Sequence, residues 1–158
     1  MHMRTTISRR NIVPALLALC TAACATACAT APAREILMPP GATRIAPYSP
    51  GVRAGDLLFL SGTIGVRPGT RELVPGGIAA ETRQTLENVR AALRAAGLDL
   101  RDAVKCTVFL ADMRDYDAMN AVYAEFFPAD PPARSAVGVA GLPLGARVEI
   151  ECLALARR

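Results

Sequence analysis

The residues that could do chemistry lie near the end of the chain, in the segment PPARSAVGVAGLPLGARVEIECLALA at residues 131–156. Arg134 presents a planar guanidinium fork, which can hold a carboxylate by two parallel hydrogen bonds. In the closing segment, alternation places Glu149 and Glu151 on one strand face with Arg147, and a carboxylate there could act as a general base. The same side chains could form structural ion pairs, so spacing alone leaves both interpretations open.

The first 31 residues have the layout of an export signal. A basic start at Arg4, Arg9 and Arg10 precedes an apolar stretch from Ile12 to Leu19, and small residues follow. This order is typical of a signal peptide, and the apolar stretch is too short to span a bilayer. A disordered extension is the alternative. We expect residues 1–31 to direct export, to the periplasm.

The export route is left open by the sequence. Twin arginines in SRRNIV at residues 8–13 resemble the twin-arginine signal, although they are also ordinary charge for the general secretory route. Cys20, Cys24 and Cys28 lie among small residues, so one of them could become the acylated N-terminus of a membrane-anchored lipoprotein. Cleavage after an Ala-x-Ala sequence, such as residues 25–27, competes with that interpretation.

Composition restricts the chemistry of the remaining chain. The only histidine is His2, inside the export segment, so a histidine triad and a histidine zinc site are not expected. Three of the 18 Lys and Arg residues lie before residue 32, which leaves 15 against 14 acids. Without a basic patch, nucleic acid is not an expected partner.

Changes of pattern divide the rest into a linker and one domain. Residues 32–46 are rich in Pro and Gly and predict a linker and entering segment, and residues 47–158 predict the domain. Apolar residues at 55–66 predict one strand or two. From Ile78, apolar positions recur every three or four residues, which predicts a helix that ends at Gly97.

A strand over residues 103–110 and a second helix follow, and two strands at 135–139 and 146–154 close the chain. Asp112 or Asp115 is the candidate N-cap of that helix. The strand's inward positions are predicted to be Val104, Cys106, Val108 and Leu110, and the inner face of the helix Tyr116, Met119, Tyr123 and Phe126.

This order of elements favours an α+β fold, a mixed sheet with two helices packed on one face. The strands at residues 57–60 and 103–110 show little polar alternation, as expected for strands buried on both sides. We therefore expect a homo-oligomer whose subunits cover each other's sheets, because an exposed apolar sheet would aggregate. Cys106 and Cys152 lie on apolar strand faces, where buried thiols or a disulfide would both fit.

Five motifs occur in order with compatible spacing, and together they resemble the RidA (YjgF) family of enamine/imine deaminases over residues 48–156. The motifs are SGTIG at 61–65, TLENVRAALRAAG at 85–97, VKCTVFLADMRDYDAMNAVYAEFF at 104–127, PPARSAV at 131–137 and VEIECLALA at 148–156. The resemblance implies a chorismate-mutase-like fold, a homotrimer with active sites in the clefts between subunits, and no cofactor.

The resemblance also implies a reaction, the hydrolysis of 2-imino acids to 2-keto acids and ammonia. Arg134 matches the family's substrate-binding arginine, and Glu149 matches the glutamate that positions water. Glu151 is expected only to share the strand face of Glu149. The further substrate-pocket positions that match are Tyr48, Ser61, Gly62 and Asn120.

Three positions depart from the family pattern, namely Thr63, Ala136 and Gly138. The first two alter the polarity of the pocket, so they leave the substrate open while sparing the arginine and the glutamate. The alternative function is a non-catalytic module of the same fold that binds small carboxylates. Ribonuclease action has the weakest support, because the charge is near neutral and the domain lacks histidine.

Overall fold

The computed structural model describes residues 34–39 and 46–156, so the predicted export segment lies outside the described residues. This part of the chain contains seven strands and two α-helices. The strands are β1 Arg34–Leu37, β2 Gly51–Ala54, β3 Leu57–Leu60, β4 Thr63–Ile64, β5 Ala103–Leu110, β6 Ala133–Gly138 and β7 Val148–Leu155, and the helices are α1 Gly77–Ala95 and α2 Tyr116–Phe126. Neither helix is long and apolar enough to cross a membrane.

The strands form one mixed sheet in the order β1-β2-β3-β7-β5-β6, and the short β4 also pairs with β7. Only β5 and β6 run parallel, and α2 connects them, as the crossover between parallel strands requires. The two helices pack against each other and share one core with the sheet. The prediction of an α+β fold with a mixed sheet and two helices is confirmed.

The sequence did not reveal the strands at the β1 edge of the sheet. β1 lies inside the segment predicted to be a linker, and β2 lies just after it. Each strand has only four residues, so alternation is too short to detect between the surrounding Pro and Gly residues. Pairing is what makes both segments strands, because β2 pairs with β3 and β1 pairs with β2.

The helices bury the faces that their periodicity predicts. Leu86, Val89 and Leu93 of α1 are fully buried, and Met119 of α2 is buried opposite them in the same core cluster. Gly97 has a φ of +75°, which favours glycine, and it follows the end of α1 as predicted. Removing any of these buried leucine side chains would cost about 2–5 kcal/mol of folding free energy.

At the N-terminus of α2, the structure assigns different roles to the two predicted N-cap candidates, Asp112 and Asp115. Asp115 occupies the N-cap position, but its side chain makes no capping hydrogen bond. Asp112 instead accepts a hydrogen bond from the Arg114 amide and caps the short helical turn that precedes α2. Asp115 is nearly buried and binds Arg147. Its role is therefore to join α2 to the start of β7.

A β-bulge at the start of β5 corrects one prediction. The register with β7 shifts between Ala103 and Lys105, and the shift turns Ala103 inward. Val104, predicted to face inward, is 42% exposed. From Cys106 onward the alternation is regular, and the inward positions of the strand are those predicted.

The sheet has two unlike faces. The face toward the helices is buried, with Val108 of β5 and Ile150 of β7 paired at its centre. The opposite face, here called the open face, carries the alternate residues, and Phe59 is 48% exposed there. A groove of about 230 Å³ lies on the open face, lined by Phe59, Leu60, Lys105, Thr107, Glu151, Cys152 and Leu153. A single chain therefore leaves one side of an apolar sheet uncovered.

A disulfide joins the two central strands. Cys106 of β5 and Cys152 of β7 are register partners with their Cα atoms 4.1 Å apart, and their sulfur atoms are bonded. Both residues are buried beneath the helices. Of the two interpretations that the sequence left open, the structure has the disulfide rather than free thiols.

We expect the disulfide to stabilise the fold by about 2–4 kcal/mol, because it closes a long loop and restricts the unfolded chain. Denaturant unfolding with and without a thiol reductant measures this difference. The control is the double variant Cys106→Ala with Cys152→Ala, whose unfolding should not respond to the reductant. Two titratable thiols in the denatured, unreduced protein that lacks Cys20, Cys24 and Cys28 would contradict the assignment.

Candidate functional site

Glu149 lies on the open face of the sheet, near the start of β7. It is the register partner of Phe109 on β5 and of Ile64 on β4. Its carboxylate rests directly against Gly62, since a Cβ atom at that position would lie 1.8 Å from the Glu149 Oε1 atom. A side chain at position 62 would therefore displace this carboxylate, which gives the glycine of the Ser-Gly motif a steric reason.

Two effects raise the pKa of the Glu149 carboxyl above its ordinary value. The larger is burial, which removes water from the charged form, and the smaller is repulsion by the Glu151 carboxylate on the same strand face. The carboxyl thus favours folding most at low pH, and this contribution is lost as the pH rises through the raised pKa. A carboxyl with a raised pKa is better matched to proton transfer near neutral pH.

The segment that carries Tyr48 is tied to the same turn. The Ser61 amide donates a hydrogen bond to the Pro50 carbonyl at 3.0 Å, and its hydroxyl donates to the Ser49 carbonyl at 2.7 Å. Tyr48, which is 40% exposed, adjoins these bonds. Tyr48, Ser61, Gly62 and Glu149 thus form one group, here called the glutamate half-site.

Asn88 of α1 supports this half-site, and sequence reasoning missed it. Its side-chain amide donates to the Ile64 carbonyl at 3.1 Å and to the Val66 carbonyl at 2.8 Å. The Gln84 side-chain amide donates to the Asn88 Oδ1 atom at 2.9 Å. β4 is therefore clamped between α1 and β7. An asparagine inside a predicted helix, where it is a poor helix former, was the available signal.

Arg134 lies on the other face of the sheet, toward the helices. It is the register partner of the inward-facing Cys106. Its guanidinium carbon is 4.6 Å from the centre of the Tyr123 ring, and it donates a long hydrogen bond of 3.4 Å to the Tyr116 hydroxyl. Asn120 stands between the two tyrosines in helical sequence, on the same side of α2.

Arg134, Tyr116, Asn120 and Tyr123 form a second group, here called the arginine half-site. The Asn120 Oδ1 atom and the Tyr123 hydroxyl are buried and have no hydrogen-bond partner within residues 34–39 and 46–156. The sequence placed both tyrosines in the core. Their spacing from Asn120, four residues before and three after, was the signal that they share its surface.

No acid in the described part of the chain forms a salt bridge with Arg134. Arg147, expected beside the two glutamates, binds Asp115 instead, with nitrogen–oxygen distances of 2.8 and 3.0 Å. Its backbone amide donates to the buried Glu81 at 2.8 Å, which fixes the entry to β7. Of these two arginines, Arg147 is thus neutralised by an acid of the described chain and Arg134 is not.

Within one chain, Arg134 and Glu149 do not meet. Their partners on β5, Cys106 and Phe109, are three residues apart and face opposite sides of the sheet. The two Cα positions are separated by about 10 Å along the strands and about 10 Å across them. The sequence predicted two parts of one site, and the single chain holds them as two half-sites.

No group of metal-binding side chains occurs among the residues that the structure describes. The polar groups that remain are a free guanidinium, a carboxylate with a raised pKa, a hydroxyl and an amide oxygen. They suit a small ligand with a carboxylate and a polar nitrogen or oxygen nearby.

A family model described as Endoribonuclease L-PSP matches residues 41–156. The chain belongs to this family, which is also called RidA or YjgF. The match covers both half-sites and ends at the residue that follows β7.

Other RidA-family proteins are similar over nearly their whole length. RutC family protein PH0854 of Pyrococcus horikoshii is 47% identical over 122 residues, covering 77% of this chain and 97% of that protein. Human 2-iminobutanoate/2-iminopropanoate deaminase is 45% identical over 116 residues, covering 73% and 83%. The crystal structure of E. coli TdcF with bound serine superposes with a TM-score of 0.73 at 41% identity, covering 78% and 99%. The RidA-type fold expected from the motifs is confirmed.

Proposed function

We propose that this RidA-family chain hydrolyses reactive 2-imino acids, and the enamines in equilibrium with them, to 2-keto acids and ammonia. The relatives named as 2-iminobutanoate/2-iminopropanoate deaminases support the reaction class. The observation that carries the proposal is the pair of half-sites, an unpaired arginine and a glutamate of raised pKa. The TdcF crystals hold serine, which shows that a close relative binds a small carboxylate.

Arg134 is assigned to the substrate carboxylate. Its guanidinium can form two parallel hydrogen bonds to the carboxylate, which fixes the adjacent C=N carbon in position. No acid of the described chain competes for it. Orientation is a large part of the task because the imine carbon is already electrophilic, above all when the nitrogen is protonated.

Glu149 is assigned to the attacking water. The carboxylate accepts a proton as the water oxygen bonds to the carbon of the protonated imine, which gives a neutral amino alcohol. The carboxyl then returns this proton to the amino nitrogen, and ammonia leaves as the hydroxyl group gives its proton to the carboxylate and becomes the keto oxygen. Burial raises the pKa of Glu149 toward the range useful for such proton transfer. Gly62 keeps the space that this carboxylate occupies.

The complete site is proposed to lie in a cleft between subunits of a homotrimer. The two half-sites face opposite sides of one sheet, so the arginine half-site of one chain has to meet the glutamate half-site of another. A second chain would also cover the open face, where Leu57 and Phe59 are exposed. The same association of subunits would thus complete the active site and bury the open face.

The protein is further proposed to be exported, in periplasmic or lipid-anchored form. The arrangement of residues 1–31 supports this, and so does the buried disulfide, because disulfides persist in oxidising compartments. An exported deaminase requires imines that form outside the cytoplasm, for example by oxidation of amino acids there.

Variants of the two assigned residues should fail in different ways. Arg134→Ala should raise KM and lower kcat/KM by on the order of 10²-fold, because bonds to charged groups are lost. Glu149→Gln should lower kcat by about 10²- to 10⁴-fold. The assay generates a 2-imino acid with an amino-acid oxidase and follows its trapping by semicarbazide, which the active protein slows.

The matched control is Arg83→Ala, which removes an exposed arginine paired with Glu125 and should leave the kinetics unchanged. Full activity in Arg134→Ala would exclude the proposed mechanism. A wild-type protein that binds 2-keto acids but never slows trapping would support the non-catalytic binding module instead.

Export is tested by mass spectrometry of the protein recovered from its native cells. We expect a mature N-terminus near residues 20–32, either free or acylated on a cysteine. An intact Met1 on the protein in the cytoplasmic fraction would contradict export.

A further inference from the structure

The Arg134 side chain is held by an aromatic surface and by no charged group of the described chain. Its guanidinium carbon lies 4.6 Å from the centre of the Tyr123 ring and 5.9 Å from that of the Tyr116 ring. Both distances are within the range in which a cation is attracted to a ring face. The 3.4 Å hydrogen bond to the Tyr116 hydroxyl is too long to fix the side chain alone.

The Tyr123 ring is itself firmly placed. The residue is only 5% exposed, and its ring stacks on Phe127 with the centroids 4.6 Å apart. Burial raises the pKa of Tyr123 to about 12, so the ring stays neutral next to the guanidinium. The contact with Arg134 is made by the ring, and the hydroxyl has no hydrogen-bond partner within the described residues.

We propose that Tyr123 is a positioning residue for the substrate carboxylate, acting through Arg134, and this rests on the function proposed above. A guanidinium over a ring uses its face for that contact, so the N–H donors along its edge stay available to a ligand. A carboxylate partner would also hold the arginine, but it would occupy the donors and cancel the charge. The neutral ring fixes the side chain without either effect.

This role predicts an effect on KM rather than on kcat. The substrate carboxylate keeps its charge throughout the reaction, so its bonds to Arg134 are made equally in the ground state and the transition state. Loss of such uniform binding raises KM and leaves kcat unchanged. A residue that merely stabilised the core would not produce this pattern.

The test compares Tyr123→Phe, Tyr123→Leu and Tyr123→Met. Tyr123→Phe keeps the ring and is the conservative rescue, so its KM and Kd should lie well below those of the two variants without a ring. Without the ring, KM for the imino acid and the Kd of 2-oxopropanoate should both rise by about 2- to 30-fold, the range expected for one cation–ring contact. The methionine variant also lacks the ring but has an unbranched apolar side chain, and it replaces the leucine variant in the test if the latter does not fold.

The matched control is Phe126→Leu. Phe126 lies on the same helix, is similarly buried, and carries the guanidinium of Arg90 at 4.9 Å instead of that of Arg134. It should lose stability but keep KM. In an Arg134→Ala background, Tyr123→Leu should have no further effect on Kd, because the residue acts through the arginine.

Three results would overturn the proposal: unchanged KM and Kd in Tyr123→Leu, an equal rise in Phe126→Leu, or loss of binding in Tyr123→Phe. Calorimetric binding of 2-oxopropanoate separates this proposal from the deaminase. If binding depends on the Tyr123 ring but the protein has no hydrolytic activity, only the proposed deaminase function is excluded. If the protein hydrolyses imino acids and the leucine variant has an unchanged KM, only the proposed role of Tyr123 is excluded.

Discussion

Strand alternation places Arg134 and Glu149 on opposite faces of one sheet, and the arrangement of the proposed site depends on this constraint. No side-chain rotation can overcome this, because the sheet itself lies between the two groups. Each half-site is nevertheless well built, the arginine on the rings of α2 and the glutamate over Gly62. In the proposed reaction, this constraint makes the association of chains part of the chemistry.

The helix layer and the sheet serve this arrangement in different ways. α2 forms the crossover between β5 and β6, and so it brings its tyrosines over the strand that carries Arg134. α1 holds β4 through Asn88, and β4 holds the start of β7. The disulfide joins β7, which carries Glu149, to β5, which separates β7 from the strand that carries Arg134. These contacts of the helices and the disulfide therefore hold Arg134 and Glu149 in fixed positions on the two faces of the sheet.

Sequence reasoning predicted the long elements well because α1, α2, β5 and β7 each contain enough residues for their period to be visible. It missed β1 and β2, whose pairing is tertiary, and misplaced Val104, whose orientation depends on a bulge. The pocket residues came from motif resemblance. Their division between two faces follows only from the register of β5 with its neighbours, which one sequence does not reveal. The roles of Asn88 and Tyr123 depend on contacts between different elements, which the period of a single element does not reveal.

Mixing two inactive variants tests the central claim most directly. Arg134→Ala and Glu149→Gln chains with different tags are co-expressed, and trimers that contain both are purified through both tags. If each site takes its arginine from one chain and its glutamate from the next, about one site in three is restored in every mixed trimer. Deaminase activity near that fraction of wild type is the predicted result. Mixed trimers no more active than either variant alone would contradict the shared site.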